Sequence, residues 1–137
     1  MNKILISFFI LVLLNACASN SPPSTTTDVC KIFKERYSWY KAAKKTEKRW
    51  KIPVYVSMAI IKQESSFRAD ARPERRKLLG FIPWKRVTSA RGYAQAVDGT
   101  WEMYLNDRGG SFVSRNDFED SVDFVGWYNY NTHRQLG

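Results

Sequence analysis

Residues 53–67 constrain the fold most, because they form one apolar stretch that contains a single carboxylate. Pro53 suits the first position of a helix, since its missing N–H would have no partner there and its fixed φ is already helical. The stretch therefore predicts a helix that begins at Pro53 and carries Glu64 near its end.

Glu64 is the isolated acid in this pattern. At about 100° per residue it falls between Ile60 and Ile61 on the helical wheel, whereas Lys62 and Ser66 lie on the more polar side. We therefore expect the carboxyl to point toward the core, where apolar surroundings disfavour the charged form and suit a general acid. The alternative is a glutamate near a fraying helix end that turns to water.

Two short motifs follow one another along the chain. Glu-Ser-Ser-Phe closes the predicted helix at residues 64–67, and Gly-Tyr-Ala-Gln follows at residues 92–95. The second motif continues into Asp-Gly-Thr-Trp at residues 98–101. In this order the motifs resemble those of lytic transglycosylases with an SLT domain, over roughly residues 50–128. The resemblance implies an all-α, lysozyme-like fold.

The resemblance also implies a reaction and the residues that perform it. Enzymes of this family cleave the MurNAc-GlcNAc β-1,4 bond of peptidoglycan with one glutamate and no cofactor, and they leave 1,6-anhydromuramic ends. By position, Glu64 would be the catalytic acid and base. Ser65 would orient it or bind the substrate, and Tyr93 and Gln95 would bind the substrate. For Gln95 the alternative is a loop amide that satisfies nearby backbone groups.

Departures from the family pattern leave other functions open. Tyr93 and Ala94 stand where the family usually has Leu and Met. The family's third motif is Ala-Tyr-Asn-like, and its Tyr reaches the catalytic Glu; we interpret Tyr128-Asn129 as part of the helix before that motif. We therefore expect an SLT domain that is incomplete at its C-terminus, with one cleft wall missing. An inactive peptidoglycan-binding or structural lipoprotein and a hydrolytic muramidase are the alternatives.

The N-terminus predicts export and a lipid anchor. After a lysine, an apolar run at residues 4–14 is too short to span a bilayer. Leu-Asn-Ala-Cys at residues 14–17 resembles the bacterial lipoprotein cleavage box, which implies a signal peptide at residues 1–16 and lipidation of Cys17. Ala18 implies sorting to the outer membrane, on its periplasmic face. An ordinary secretory signal cut near the same place is the alternative.

The next segments predict a tether and the start of one helical domain. Residues 17–28 are polar, contain proline and have nothing to bury, which is typical of a flexible tether. Residues 29–137 then form the single domain. Within it, residues 29–50 show the pattern of an amphipathic helix with a basic outer face, with Asp28 as its N-cap and Cys30 as a small buried residue.

The C-terminal part predicts two further helices. Asp98 or Thr100 can cap one that runs to about Asp107 and stops at Gly109. Residues 116–119 resemble a capping box that opens the other. The predicted buried face of that last helix comprises Phe118, Val122, Val125 and either Trp127 or Tyr128. Since no segment of any length alternates with period two, we expect a mostly helical domain.

A strong positive charge predicts an anionic partner. Lys and Arg number 22 against 13 Asp and Glu, which gives a formal net charge of +9. Residues 68–91 are rich in these cations, and their Pro and Gly argue against one continuous helix. We expect a basic loop with a short hairpin at residues 78–84, whose apolar side chains suit either a sugar-binding rim or a membrane interface. Secretion favours peptidoglycan over nucleic acid as the polymer that the loop binds.

The residue types also argue against several classes of site. His133 is the one histidine, and neither Cys17 nor Cys30 has a companion at ligand spacing, so we predict no metal site. With Cys17 acylated, no thiol would remain to pair with Cys30 in an intrachain disulfide. No glycine-rich phosphate loop or nucleophile elbow occurs. Glycosidic-bond cleavage by a single carboxyl, which the family resemblance implies, needs none of these sites.

Overall fold

Five helices and one hairpin make up the part of the chain that the computed structural model describes, residues 21–136. In chain order the elements are α1 (Val29–Glu35), α2 (Tyr37–Trp50), α3 (Val54–Ser65), β1 (Arg75–Leu78), β2 (Ile82–Arg86), α4 (Asp98–Arg108) and α5 (Phe118–Leu136). The predicted all-α class is confirmed, because the helices form the body and the hairpin is a small addition. None of these helices has the length and hydropathy that crossing a bilayer requires.

α5 lies at the centre of the fold, because it packs against α2, α3 and α4. Its buried residues include the predicted Phe118, Val122, Val125 and Trp127. Tyr128, the alternative to Trp127 at the end of this face, is about half exposed. Gly126 lets α2 approach closely, since a Cβ at this position would lie 2.5 Å from the methyl carbon of Thr46. The largest helix–helix contact is therefore the one between α2 and α5.

The predicted helix over residues 29–50 is two helices, because the backbone breaks at Arg36 (φ −125°, ψ 68°). Asp28 is confirmed as the N-cap of α1, since its carboxylate accepts a backbone N–H of the first turn at 3.0 Å. The prediction that Cys30 is buried is wrong, because Cys30 is exposed. It lies two residues, and thus about 200°, from the fully buried Ile32, on the opposite side of α1.

Two helix caps differ from the prediction. Neither Asp98 nor Thr100 caps α4, whose N-cap is Val97; the hydroxyl of Ser89 accepts the N–H of Asp98 at 2.9 Å instead. α5 is capped by Asp117, whose carboxylate accepts a first-turn N–H at 3.1 Å, rather than by the residue before it. The helices themselves are where they were predicted, and α4 ends at Gly109 as expected.

The hairpin predicted inside the basic loop is present and is longer than expected. Its strands are antiparallel, with Arg75 opposite Arg86 at the base. The turn is made with left-handed backbone at Leu79 (φ 54°) and Gly80 (φ 81°). The Arg86 guanidinium donates to the carbonyl oxygen of Pro73 and so ties the base of the hairpin to the preceding segment.

Residues 21–28 carry no helix or strand and lie against α1. The backbone N–H and the hydroxyl of Ser24 both donate to the Glu35 carboxylate, at 3.0 and 2.7 Å. The predicted signal peptide at residues 1–16 and the predicted lipidation site at Cys17 lie outside the described residues. The boundaries of these segments stay predictions.

One buried carboxylate joins three helices. Asp123 on α5 accepts the indole N–H of Trp50 at 2.8 Å and the hydroxyl of Tyr104 at 2.9 Å. Arg49 Nη1 donates to it at 3.3 Å, and Arg108 Nε lies 3.5 Å away. Burial, reinforced by the negative charge of Asp123, raises the pKa of Tyr104, so its hydroxyl stays a donor. α2, α4 and α5 thus meet at a single charged point.

Candidate active site

A cavity of about 260 Å³ opens between α3, α5 and the turn that precedes α4. It is lined by Ile60, Glu64, Ala94, Gln95, Ala96, Val97, Thr100, Phe124, Val125, Tyr128 and Asn129. Glu64 belongs to the first sequence motif and Gln95 to the second, so the fold brings the two motifs to one site. Within residues 21–136, Glu64 is the single carboxylate that lines the cavity.

α3 is fixed at both ends, which places Glu64. Pro53 is its N-cap rather than its first helical residue (φ −57°, ψ 144°), so the helix begins one residue later than predicted. At the other end, Ser66 (φ 51°) and Phe67 (φ 61°) both adopt left-handed backbone. This reversal turns Phe67 into the core, where its ring lies 6.0 Å from that of Trp39. The last turn of α3 therefore lies at the edge of the core rather than inside it.

Glu64 is exposed, which corrects the prediction that its carboxyl points into the core. The helical wheel placed it correctly on the side of Ile60, and both residues line the cavity. On that side, however, the last turn of α3 faces an open cavity instead of packed side chains. Within residues 21–136 the Glu64 carboxylate has no hydrogen-bond partner and no ion pair. It is therefore free to exchange a proton with a molecule that enters.

Ser65 is not brought to the cavity wall. It is buried, and its hydroxyl donates to the carbonyl oxygen of Ile61 at 3.1 Å. A serine that bonds back to its own helix in this way satisfies a carbonyl of the last turn. In the structure Ser65 supports the turn that carries Glu64, and its predicted contact with a substrate has no counterpart in the geometry.

Gln95 lies in the cavity wall, as predicted. Its amide also bonds to nearby backbone groups, which was the alternative prediction for this residue. Its Nε2 donates to the carbonyl oxygens of Ala71 and Gly92 at 2.9 and 2.8 Å. Because both partners are acceptors, the NH2 group is the one that faces them. The amide oxygen has no partner within the described residues. The two hydrogen bonds thus hold the side chain in place, and its amide oxygen remains available as an acceptor.

Tyr93 belongs to the core, which corrects the prediction that it binds the substrate in the cleft. It is 1% exposed and is absent from the cavity wall. Its ring packs edge-on against Trp39 at 5.6 Å and against Phe118 at 5.5 Å. The motif puts Tyr93 two residues from Gln95, but the turn sends the two side chains in different directions. Tyr93 anchors this turn to α2 and α5.

Tyr128 and Asn129 form a wall of the cavity that sequence interpretation missed. Both line it together with Glu64. The Tyr128 ring lies 6.0 Å from that of Phe124, and Asn129 Nδ2 donates to the carbonyl oxygen of Val125 at 2.8 Å. The interpretation of this pair as part of the helix before the family's third motif stays a prediction, whereas α5 itself runs along the cavity. The missing signal was available: Phe124 and Tyr128 are four residues apart on one helical face.

Arg115 holds the turn that carries Gln95. Its buried guanidinium donates to the carbonyl oxygen of Ala96 at 2.8 Å and to the Asp98 carboxylate at 2.5 Å. This hydrogen bond, together with the positive charge of Arg115, keeps the pKa of Asp98 below its usual range. Gly92 (φ +78°) lets the turn come close, since a Cβ there would lie 1.9 Å from the Arg115 carbonyl oxygen.

The polar groups in the cavity can exchange a proton and bind hydroxyls. Glu64 supplies the carboxyl, Tyr128 a phenol, Gln95 and Asn129 amides, and Thr100 a hydroxyl. Phe124 and the other apolar residues give these groups a partly dry wall. Within residues 21–136, no three His, Cys, Asp or Glu side chains come together as metal ligands would.

Comparison with known proteins gives one match. A family model described as a transglycosylase SLT domain matches residues 5–137. The matched range contains all the described residues and thus the entire cavity. No match was found among curated proteins or among solved structures.

Proposed function

The chain belongs to the transglycosylase SLT domain family, and from this membership we propose that it is a peptidoglycan lytic transglycosylase with Glu64 as its single acid and base. Its substrate is the MurNAc-GlcNAc β-1,4 bond, and its products carry 1,6-anhydromuramic ends. The observation that carries the proposal is the position of Glu64, the one carboxylate in a cavity that both sequence motifs line.

A single carboxyl favours ring closure over hydrolysis. Glycosidases that use water need a second carboxylate, at about 5–9.5 Å from the first, as nucleophile or base. Among the described residues that line the cavity, no second carboxylate occurs. In the proposed reaction Glu64 protonates the leaving oxygen, and its carboxylate then takes the proton of the muramic acid 6-hydroxyl. As that oxygen bonds to C1, the anhydro ring closes without water.

The surroundings of Glu64 support its role as an acid once substrate is bound. No cation pairs with it among the described residues, so a bound substrate would not have to displace an ion-pair partner. A glycan that fills the cavity would exclude water and leave the carboxyl between the substrate and apolar residues such as Ile60 and Phe124. Such desolvation favours the protonated form, which a general acid needs.

Three further residues are proposed to position Glu64 or the substrate rather than to transfer protons. Tyr128 stands in the wall with Glu64 and is proposed to orient the carboxyl once substrate is bound, since no hydrogen bond joins the two within the described residues. Gln95 is proposed to bind a sugar hydroxyl through its free amide oxygen, because its NH2 group is already bonded. Ser65 is proposed to act through the last turn of α3 instead of touching the substrate.

The test is a digest of purified peptidoglycan by the parent and by Glu64→Gln. Glutamine keeps the size and hydrogen-bonding capacity of the side chain but cannot transfer a proton, so cleavage should fall by about 10² to 10⁴, with little loss of binding. Glu102→Gln is the matched control, since Glu102 is an exposed acid on α4 outside the cavity, and it should cleave like the parent.

Mass spectrometry of the products separates the alternatives. Anhydro ends from the parent support the proposal, whereas reducing ends would identify a hydrolytic muramidase. Intact sacculi with bound protein would identify an inactive peptidoglycan-binding lipoprotein. Full cleavage by Glu64→Gln would refute the assignment of the acid.

We further propose that lipidation of Cys17 anchors the protein to the periplasmic face of the outer membrane, as the sequence at residues 14–17 indicates. Acyl chains attached together at one cysteine anchor stably, where a single chain would be marginal. Cys17→Ser should therefore move the protein from the membrane to the soluble fraction, and Cys30→Ser, the matched control, should not. Unchanged membrane fractionation of Cys17→Ser would contradict the anchor.

A further inference from the structure

The hairpin formed by β1 and β2 stands apart from the helical body. Its strands pair with each other, and neither makes an extensive contact with any helix among the described residues. The Arg86 bond to the Pro73 carbonyl oxygen holds its base. Among the side chains that the structure describes, none from the hairpin lines the cavity. Its side chains are therefore available for another purpose, and replacing them should leave the core and the cavity intact.

The tip of the hairpin is apolar and points into solvent. Leu79 is 76% exposed and Phe81 is 73% exposed, and Ile82 beside them is 40% exposed. The left-handed backbone at Leu79 and Gly80 makes the turn tight, so these side chains project together from one end. Neighbouring apolar side chains left in water in this way mark an interaction surface.

Cations flank the apolar tip on both strands. They are Arg75, Arg76 and Lys77 on β1, and Lys85 and Arg86 on β2. Four of the five, all except Arg86, form no ion pair or hydrogen bond through their side chains within residues 21–136. Their charge is therefore uncompensated and available to an anionic partner.

We propose that this hairpin binds the surface of an anionic lipid bilayer, with Leu79 and Phe81 entering the boundary of the acyl chains and the strand cations contacting headgroup phosphates. An apolar end with cations behind it matches the order of layers in a membrane interface. A glycan strand would satisfy the cations and could stack on Phe81. It would remove less of the aliphatic Leu79 and Ile82 side chains from water than the acyl-chain boundary would.

This contact is separate from both proposed activities. It uses neither the cavity around Glu64 nor the acyl chains at Cys17. Its effect would be to bring the helical body against a membrane in a fixed orientation, which an acylated flexible segment cannot do alone. Failure of this proposal would leave the proposed cleavage reaction untouched.

The test measures binding of the full chain, carrying Cys17→Ser to remove the acyl anchor, to sedimented vesicles. One vesicle type is phosphatidylcholine, and the other is an equal mixture of phosphatidylcholine and phosphatidylglycerol. Other segments of the chain that bind both vesicle types equally do not change the ratio of the two affinities. We expect a clear preference for the anionic vesicles that fades as salt is added. Equal binding to both vesicle types would overturn the proposal.

Charge variants locate the contact. The hairpin variant carries Arg76→Gln, Lys77→Gln and Lys85→Gln, and the matched helix variant carries Lys34→Gln, Lys41→Gln and Lys48→Gln. Both lose the same charge, but the second set lies on α1 and α2. The hairpin variant should bind anionic vesicles about tenfold to a hundredfold more weakly, whereas the helix variant should change much less. Equal losses would show attraction by net charge alone and would refute a hairpin site.

Tip variants test the apolar part of the contact. Leu79→Ser with Phe81→Ser should weaken binding by at least about tenfold. The control replaces two other exposed apolar residues, Met103→Ser with Phe112→Ser. Circular dichroism and thermal unfolding of each variant should match the parent. If hairpin variants retain vesicle binding and lose binding to sacculi, the partner is the glycan and the membrane proposal is wrong.

Discussion

At the scale of single residues, Tyr93 shows how neighbours decide what a motif residue does. It lies two positions before Gln95, yet its ring is enclosed by Trp39 and Phe118. Burial raises the pKa of its hydroxyl to about 12, because the phenolate would lose its hydration there. Since the raised pKa means that folding favours the protonated form, Tyr93 contributes stability below its ordinary pKa of 10. That contribution is lost as the pH rises toward 12.

Tyr93→Phe should therefore leave cleavage near neutral pH unchanged, because the hydroxyl does not reach the cavity. Between about pH 10 and pH 12, the variant should lose less unfolding free energy than the parent, by up to about 2 kcal/mol. Denaturant unfolding across this range measures the difference, and Tyr55→Phe is the control because Tyr55 is 72% exposed. A large loss of activity in a stably folded Tyr93→Phe would show that the Tyr93 hydroxyl does act in the substrate site.

The sequence predicted the identity of the central acid but not its surroundings. Glu64 stood out as the one carboxyl in an apolar helix, and the wheel placed it beside Ile60. Whether that side meets packed core or open space depends on the turn before α4 and on α5, which follow some thirty to sixty residues later. Local periodicity carries no information about which residues so far along the sequence will pack against this side of the helix. For the same reason the wall made by Tyr128 was missed.

At the scale of elements, helix positions were predictable, but not every helix end was. Apolar spacing located α1, α2, α3 and α5, although α1 and α2 were predicted as one helix, and cap residues with a glycine marked α4. The break at Arg36 has neither Pro nor Gly to announce it. Asp98 has the chemistry of a cap, but Arg115, seventeen residues later, takes its carboxylate into a salt bridge. Where a tertiary partner competes with a local cap, the sequence pattern alone predicts the wrong bond.

At the scale of the whole molecule, Asp123 holds α2, α4 and α5 together. A buried carboxylate is costly unless its oxygens are bonded, and here an indole, a phenol and two guanidinium groups surround it. All of these partners are donors. The network therefore tolerates only an acceptor at this position.

Asp123→Asn should lower the unfolding free energy by about 3 kcal/mol, because it removes the charge and points an NH2 group at donors. Urea unfolding followed by circular dichroism measures the change. Asp70→Asn, at an exposed site whose ion pair with Arg68 is also exposed, should stay within about 0.5 kcal/mol of the parent. A loss as small as the control's would show that the network is not a main support of the fold.

The contact between α2 and α5 also sets the order of events when the chain is made. Arg49 and Trp50 meet Asp123 across 74 and 73 positions of sequence, and Lys45 meets Glu119 across 74. Contacts of such long range form late and slow folding, because a long loop must close first. We expect α2 to remain without its main partner until α5 has left the ribosome. The chain would then complete its core in one step, with Gly126 as the point of closest approach.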